Sequence, residues 1–375
     1  MTEYDVVIVG GGPAGSTLAW ALRESGKRVL ILDKQTFPRD KTCAGWVTPA
    51  VMESLALDTE DYARENILQP IHGFRLGMMG QPAVENDHGP EPVSYGIRRC
   101  EFDHYLLKRS PADKRLGEKL KSMEWDGECW VINDEIRSPL VVGAGGHFCP
   151  VASKLGSGPG KHETVVAAKE VEFAMTPEQA HSCQVREDTP ELWFCRDLKG
   201  YAWVFRKGEY LNIGLGREEN RGLTDHLKAF VEEMIQAGRI PPDLPSRFKG
   251  HAYLLYARAD RPLIDNGIML IGDAAGLAYT QSGEGIRPAV ESALLAAEVI
   301  QSLEHYSIDD LAPYAEAIKD RFGARAPEQS GGVELPEWAK QRVASALMRS
   351  RFFTRHVVTN RWFLHTQVPP LKAAV

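Results

Sequence analysis

The stretch Asp5-Val-Val-Ile-Val-Gly10-Gly-Gly12-Pro13-Ala14-Gly15, read on to Val29-Leu-Ile-Leu-Asp33, decides the fold. Residues 6–9 are an unbroken apolar run, as a strand buried on both faces requires. Gly10, Gly12 and Gly15 then spell G-x-G-x-x-G, and a helix is expected over 13–24. Residues 29–32 read as a second buried strand, with Asp33 at its end. Each residue type has a task in such a unit. Gly10 allows a tight turn, Gly12 lets the backbone approach a pyrophosphate, and Gly15 lets helix and strand pack closely. Pro13 and Ala14 open a helix whose free N–H groups and partial positive charge suit phosphate. Asp33, 18 residues after Gly15, is placed to accept hydrogen bonds from a ribose. The competing reading is a glycine-rich turn that binds nothing, and the strand–turn–helix context argues against it. The motif alone does not separate FAD from NAD.

The 375 residues suffice for a large core in two lobes. With 43% hydrophobic and 25% charged residues, the composition is that of a soluble globular protein. A net charge of −7 argues against nucleic acid as a partner. No apolar run has the length of a bilayer span, and no basic region with a cleavage site precedes the first strand, so a cytoplasmic protein is expected. None of the six cysteines forms a C-x-x-C pair. Free thiols are therefore expected, and no metal site.

Along the chain, residues 34–42 read as a loop, and Cys43-Ala44-Gly45 is expected to open a helix running to residue 55. A cysteine at a helix start near lysines is activated; the competing reading is a small packed hydrophobe. Residues 68–96 read as short strands, and 98–107 have helical spacing, with Arg99 near the start. Such an arginine reaches a phosphate or ribose, or is simply solvated. Residues 122–137 suggest a meander, and 139–146 a buried strand that ends in Gly143-Ala-Gly-Gly146. That run is not a second G-x-G-x-x-G, so one dinucleotide site is expected. Strands are expected over 165–173, 191–195, 200–205 and 210–216, with Arg206-Lys207-Gly208-Glu209 as a hairpin turn. Tyr201, Trp203 and Phe205 share one face, to line an apolar pocket or fill a core. Residues 223–237 form an amphipathic helix. Residues 267–276 are a strand entering a turn at Gly272-Asp273, and Gly283-Glu284-Gly285-Ile286 opens a long helix. From Trp338 onward there is no Asp or Glu, while Lys340, Arg342, Arg349, Arg351, Arg355, Arg361 and Lys372 interleave with aromatics. Such a tail packs on an acidic body or rests on an anionic lipid surface.

By Gly272-Asp273 the order of motifs resembles the FAD-dependent enzymes of the aromatic-hydroxylase fold, over most of the first 300 residues. That resemblance implies FAD, with the pyrophosphate on Gly10, Gly12, Pro13, Ala14 and Gly15 and the adenosine ribose at Asp33 and Lys34. It also implies that Arg99 reaches FAD, that Asp273 beside Gly272 holds the ribityl chain, and that Gly283, Gly285 and Ile286 face the flavin ring. Within the fold the chain is similar to the geranylgeranyl reductase family. Cys43-Ala44-Gly45, Tyr201-Ala-Trp203-Val-Phe205-Arg206-Lys207-Gly208 with Asn212-Ile-Gly214-Leu-Gly216, and Gly272-Asp-Ala-Ala carry this likeness. The chain departs from the family pattern at Ala44, Trp46 and Arg206, and Gly143-Ala-Gly-Gly146 lacks the aspartate of G-A-D-G.

The resemblance implies an α/β fold: a Rossmann-like FAD-binding domain, an antiparallel sheet domain for substrate and a helical C-terminal tail. The FAD-binding domain is expected at 1–67, 97–157 and 251–305, the substrate domain at 68–96 and 158–250, and the helical region at 306–375. The implied activity is reduction of carbon–carbon double bonds in an isoprenoid or lipid-like substrate by reduced flavin. Cys43 is the catalytic candidate, and Tyr201, Trp203 and Phe205 are the substrate-binding candidates. The electron donor is left open between NAD(P)H and ferredoxin. Monooxygenation of an aromatic or apolar substrate and a flavin-bound module without turnover are the alternatives, since one fold serves several chemistries.

Overall fold

The computed structural model describes residues 1–157, 165–218, 222–256, 261–323 and 336–372. Strand Val6–Val9 is fully buried between the parallel strands Val29–Asp33 and Leu140–Gly143. The sheet extends through Ile268–Leu270 to Ile264–Asp265 on one side and to Asp113–Leu116 on the other. All pairings are parallel except the Ile264–Asp265 edge hairpin. Helices Arg99–Arg109 and Ile286–Gln301 both pack against helix Pro13–Ala21 beside this sheet. Close crossing of helix and strand depends on Gly15, where an added Cβ would lie 1.9 Å from the Gly10 carbonyl oxygen. The α-helix ends at Ala21, and a 3₁₀ turn, Leu22–Glu24, completes the expected element.

A seven-stranded sheet forms the second half, in the order Lys249–Leu254, Val165–Ala174, Tyr210–Arg217, Gly200–Lys207, Glu191–Phe194, Gly73–Met78, Val84–Asp87. It is antiparallel except that Glu191–Phe194 runs parallel to Gly73–Met78. The chain leaves the sheet after these early strands and returns much later, so this pair is joined by a crossover rather than a hairpin. The 68–96 stretch is divided. Leu68–Ile71 and Ser94–Ile97 pair with each other and Ser94–Ile97 with Trp46–Val47, while Gly73–Met78 and Val84–Asp87 join the large sheet. The boundary expected at 157/158 adjoins residues that lie outside those described.

Two local expectations are corrected. The helix expected from Cys43 begins instead at Pro49 and ends at Ser54, preceded by strand Trp46–Val47. Gly45 is left-handed (φ 68°) and Thr48 is extended, so the backbone enters a helix only at Pro49. Cys43 is therefore not at a helix start. The hairpin expected at 206–209 is tighter: strand Gly200–Lys207 continues through Lys207, and Gly208-Glu209 alone turn the chain. Lys207 is fully buried.

The C-terminal region serves both halves. Helix Ile308–Phe322 buries Leu311, Tyr314 and Ile318 in the core of the parallel sheet. Helix Glu337–Met348 and the π-helical stretch Thr354–Phe363 lie on the large sheet, burying Met348, Val358 and Phe363 with Trp46, Phe74 and Trp203.

Candidate active site

A cleft opens between the ends of the parallel strands and the large sheet. On the strand side the Asp33 carboxylate is fixed by backbone N–H donors, Gly11 to Oδ2 at 2.7 Å and Gln35 to Oδ1 at 2.8 Å. The Pro13 helix starts at Gly12 and the Ile286 helix at Gly285, and neither start is capped by a side chain. Both therefore present N–H groups and the positive end of a helix dipole to the cleft. Asp273 lies beside the second start, where a Cβ on Gly285 would come within 2.8 Å of its Oδ1.

Cations crowd the same wall. Lys41 Nζ donates to His251 Nε2 at 2.5 Å. Burial, aided by Arg99, lowers the Lys41 ammonium to about 8, and burial together with Lys41 lowers His251 to about 3. His251 is thus neutral at pH 7 and free to accept. Arg99 donates to Asp103 through two bonds of 2.8 and 2.9 Å, and Arg39 approaches the same carboxylate at 3.3 Å. His147 also lines the cleft, and its Nδ1 has no partner among the described residues. Two uncapped helix starts, a cluster of cations and an anchored carboxylate make the donor set that a pyrophosphate flanked by sugars requires. The residues present fit FAD.

The facing wall is built by the Cys43-Ala44-Gly45 turn. Asn212 Nδ2 donates to the Cys43 carbonyl at 3.1 Å and to Glu170 Oε2 at 3.0 Å, and Trp203 Nε1 donates to Asn212 Oδ1 at 2.7 Å. A Cβ on Gly45 would meet the Ile97 carbonyl oxygen and Lys207 Nζ at 2.4 Å, so glycine alone fits. Lys207 Nζ donates to that Ile97 carbonyl and to Glu172, each at 2.8 Å. Trp203, Lys207 and Asn212 thus form one clamp on the turn. Cys43 Sγ accepts from the Gly45 N–H at 3.4 Å and lies close to the Arg99 guanidinium. Tyr201 spans the cleft, its hydroxyl donating to the Ser282 carbonyl at 2.5 Å. Phe363 of the tail packs edge-on to Tyr201, with centroids 5.3 Å apart.

All but four of the residues expected in the site line this cleft. Gly15 and Gly45 lie behind it, where their lack of a side chain permits close packing. Gly272 sits under the turn, its N–H bonded to Ser292 Oγ at 3.0 Å. Phe205 is fully buried against Trp46, because its part of the strand has passed beneath the turn. Arg99 is on the wall, with its guanidinium committed to Asp103. The sequence reading did not single out Arg39, Lys41, His147, His251, Tyr253 or the side chain of Glu284, all of which line the cleft. Only Glu284 had a signal, its place between two motif glycines.

Residues 3–65 match the family described as an FAD binding domain. The menaquinone reductase of Mycobacterium tuberculosis is 31% identical over 342 residues, covering 85% of this chain and 80% of that protein. The digeranylgeranylglycerophospholipid reductase of Methanocaldococcus jannaschii is 27% identical over 335 residues, covering 85% of this chain and 83% of that protein. A geranylgeranyl bacteriochlorophyll reductase-like protein of Thermoplasma acidophilum shares the fold, with a TM-score of 0.74 at 22% identity over 93% of this chain and 88% of that one. A flavin-dependent halogenase, CmlS, shares it at a TM-score of 0.69 and 18% identity over 94% of this chain and 72% of that one. The fold is therefore common to several flavin chemistries, whereas the sequence kinship is with reductases: the chain belongs to the geranylgeranyl reductase family of FAD-dependent oxidoreductases.

Proposed function

We propose that this enzyme saturates carbon–carbon double bonds of a prenyl or lipid-like substrate bound between the Cys43–Gly45 turn and the aromatic wall. The observation that carries this reading is the clamp: Trp203, Asn212, Glu170 and Lys207 spend a buried hydrogen-bond network on fixing one short turn opposite the Ile286 helix start. The two relatives above are named for reducing menaquinone and a digeranylgeranylglycerophospholipid, both prenyl-bearing molecules. Gly12 and the Pro13 helix start, with Arg39 and Lys41, would hold the FAD pyrophosphate, Asp33 the adenosine ribose and Asp273 the ribityl chain. The Gly283–Ile286 start would face the ring. Bound and reduced, FAD supplies a hydride. Tyr201 and Trp203 exclude water and orient the apolar chain. Cys43, its carbonyl held by Asn212, shapes the reacting end of the cleft. The domain division follows the cleft, with one half holding cofactor and the large sheet holding substrate.

The tail supports a further contact with a membrane surface. Trp338 is 65% and Phe352 72% exposed, among the arginines Arg342, Arg349, Arg351 and Arg355. No helix of the described residues is long and apolar enough to cross a membrane. A basic face with exposed aromatics suits an anionic lipid interface, where an apolar substrate resides.

The test is mass spectrometry of a prenyl-lipid panel after reaction with dithionite-reduced holoenzyme without oxygen. A gain of two hydrogens per double bond supports the reading. Addition of one oxygen atom in air, with no anaerobic change, makes the enzyme a monooxygenase.

A further inference from the structure

Neither carboxyl oxygen of Glu284 has a hydrogen-bond partner among the described residues, although the side chain is only 8% exposed and lines the cleft. Two other acids of the cleft are committed, Asp33 to two backbone N–H groups and Asp40 to Lys249 at 2.5 Å, and Asp273 is only half-buried, so water can reach its carboxylate. A buried carboxylate with no donor is costly, so such a group holds its proton. Its surroundings agree. Tyr201 faces it from the large sheet and Tyr279 from the preceding turn. From its own helix Arg287 is the cation nearest in sequence. Arg287 is already bonded to Glu291 at 2.9 Å and to the Val368 carbonyl at 2.7 Å. Arg321 of the Ile308 helix is bonded to Glu291 in turn. His365 of the tail stacks on Tyr279 at 3.8 Å and is kept neutral by burial, at about 4. Burial pushes the Glu284 carboxyl up to about 8 against the pull of Arg287, whose guanidinium and backbone N–H both favour the carboxylate, although that N–H makes no hydrogen bond of normal geometry to either oxygen.

We propose that Glu284 is the proton donor of the reduction, a neutral carboxylic acid set in the cleft wall whose O–H has no acceptor until a substrate enters. The proposal rests on the reductase reading above. In the step, the π bond of the alkene opens. One carbon takes a hydride from a two-electron flavin reductant, which is oxidised. The other carbon forms a C–H bond with the Glu284 proton as the O–H bond breaks, leaving a carboxylate. Water then returns a proton to that carboxylate. Cys43 is the other titratable group at the turn, but its sulfur is arranged as an acceptor, facing the Gly45 N–H and Arg99.

The test compares wild-type holoenzyme with Glu284→Gln, in which the amide mimics the neutral acid, by anaerobic single-turnover reduction and by infrared spectroscopy. The variant is expected to keep FAD and to lose about 100- to 10,000-fold in the rate of alkene reduction, the usual worth of a positioned general acid. A carboxylic-acid carbonyl band that titrates near pH 8 is expected in wild type and in the Glu170→Gln control, and is expected to be absent from Glu284→Gln. Equal reduction rates in wild type and Glu284→Gln overturn the donor role and leave the reductase reading standing. A wild type that reduces no alkene overturns both. Absence of the titrating band in wild type overturns the protonated state and the proposal with it.

Discussion

Replacing Asn212 with leucine keeps the volume of the side chain and removes the centre of the clamp. Four hydrogen bonds through three N–H groups are lost: Trp203 Nε1 to Oδ1 at 2.7 Å, and Nδ2 to the Cys43 carbonyl, to Glu170 and to Glu172 at 3.1, 3.0 and 3.3 Å. At about 1 kcal/mol net for each N–H group that loses its acceptor, the loss is about 3 kcal/mol. The buried Trp203 N–H is also left without its acceptor, which adds about 1–3 kcal/mol for an unsatisfied buried group. New apolar burial by leucine offsets about 1–2 kcal/mol of this, so a net loss near 3 kcal/mol is expected. At about 2 °C per kcal/mol for a chain of this size, the melting temperature falls by about 6 °C. The assay is thermal unfolding of the holoenzyme followed by circular dichroism, with flavin fluorescence reporting release of the cofactor. Flavin release is expected to move at least as far as global unfolding, because the freed turn belongs to the cleft wall. A shift below about 1 °C in both signals would refute the clamp and with it the reason for the spacing of Trp203, Lys207 and Asn212.

Glu170 makes stability depend on pH. Its carboxyl is raised from 4.5 to about 7 by burial, against an opposing hydrogen bond from Asn212. The folded protein binds the extra proton, so this contribution is complete below pH 4.5 and is lost as pH rises through 7, amounting to about 3 kcal/mol. Denaturant titrations of Glu170→Gln should lack that loss, and an unchanged pH profile would sink the assignment. Lys41, lowered to about 8 in the free cleft, regains its proton when an anion binds beside it. The Kd for FAD should therefore weaken by up to about tenfold per pH unit above pH 8, and Lys41→Met should flatten the curve. A wild-type Kd constant from pH 7 to 10 would remove Lys41 from the phosphate site. Cys43→Ser should retain FAD and lose far less turnover than Glu284→Gln, because serine also accepts from the Gly45 N–H, and a loss as large as that of Glu284→Gln would move proton donation to the thiol. The Trp338→Ala, Phe352→Ala pair should sediment with anionic vesicles more than tenfold less than wild type, since each ring is worth about 1.5–3 kcal/mol when buried. Wild-type binding to neutral vesicles equal to that on anionic ones would dismiss the basic face.

The sequence by itself determined the nucleotide half. Val6–Val9, the three glycines, the Pro13 helix and Asp33 are local in the chain, and burial on both faces of a parallel strand leaves an apolar run that reads directly. The turn at Asp273 and the glycine-rich start of the Ile286 helix were legible for the same reason. Tertiary structure decided what the second half does with its polar residues. Lys207 looks like a turn lysine because nothing adjacent in sequence shows that the Ile97 carbonyl and Glu172 await its ammonium. Cys43 looked like a helix start, until Gly45 and Pro49 placed it on an extended turn held by Asn212, 169 residues away. Lys41 and His251 meet across 210 residues. Glu284 differs from an ordinary surface glutamate only because the fold removes both water and hydrogen-bond partners from it. Desolvation is a property of the whole packed molecule, and no window of sequence contains it.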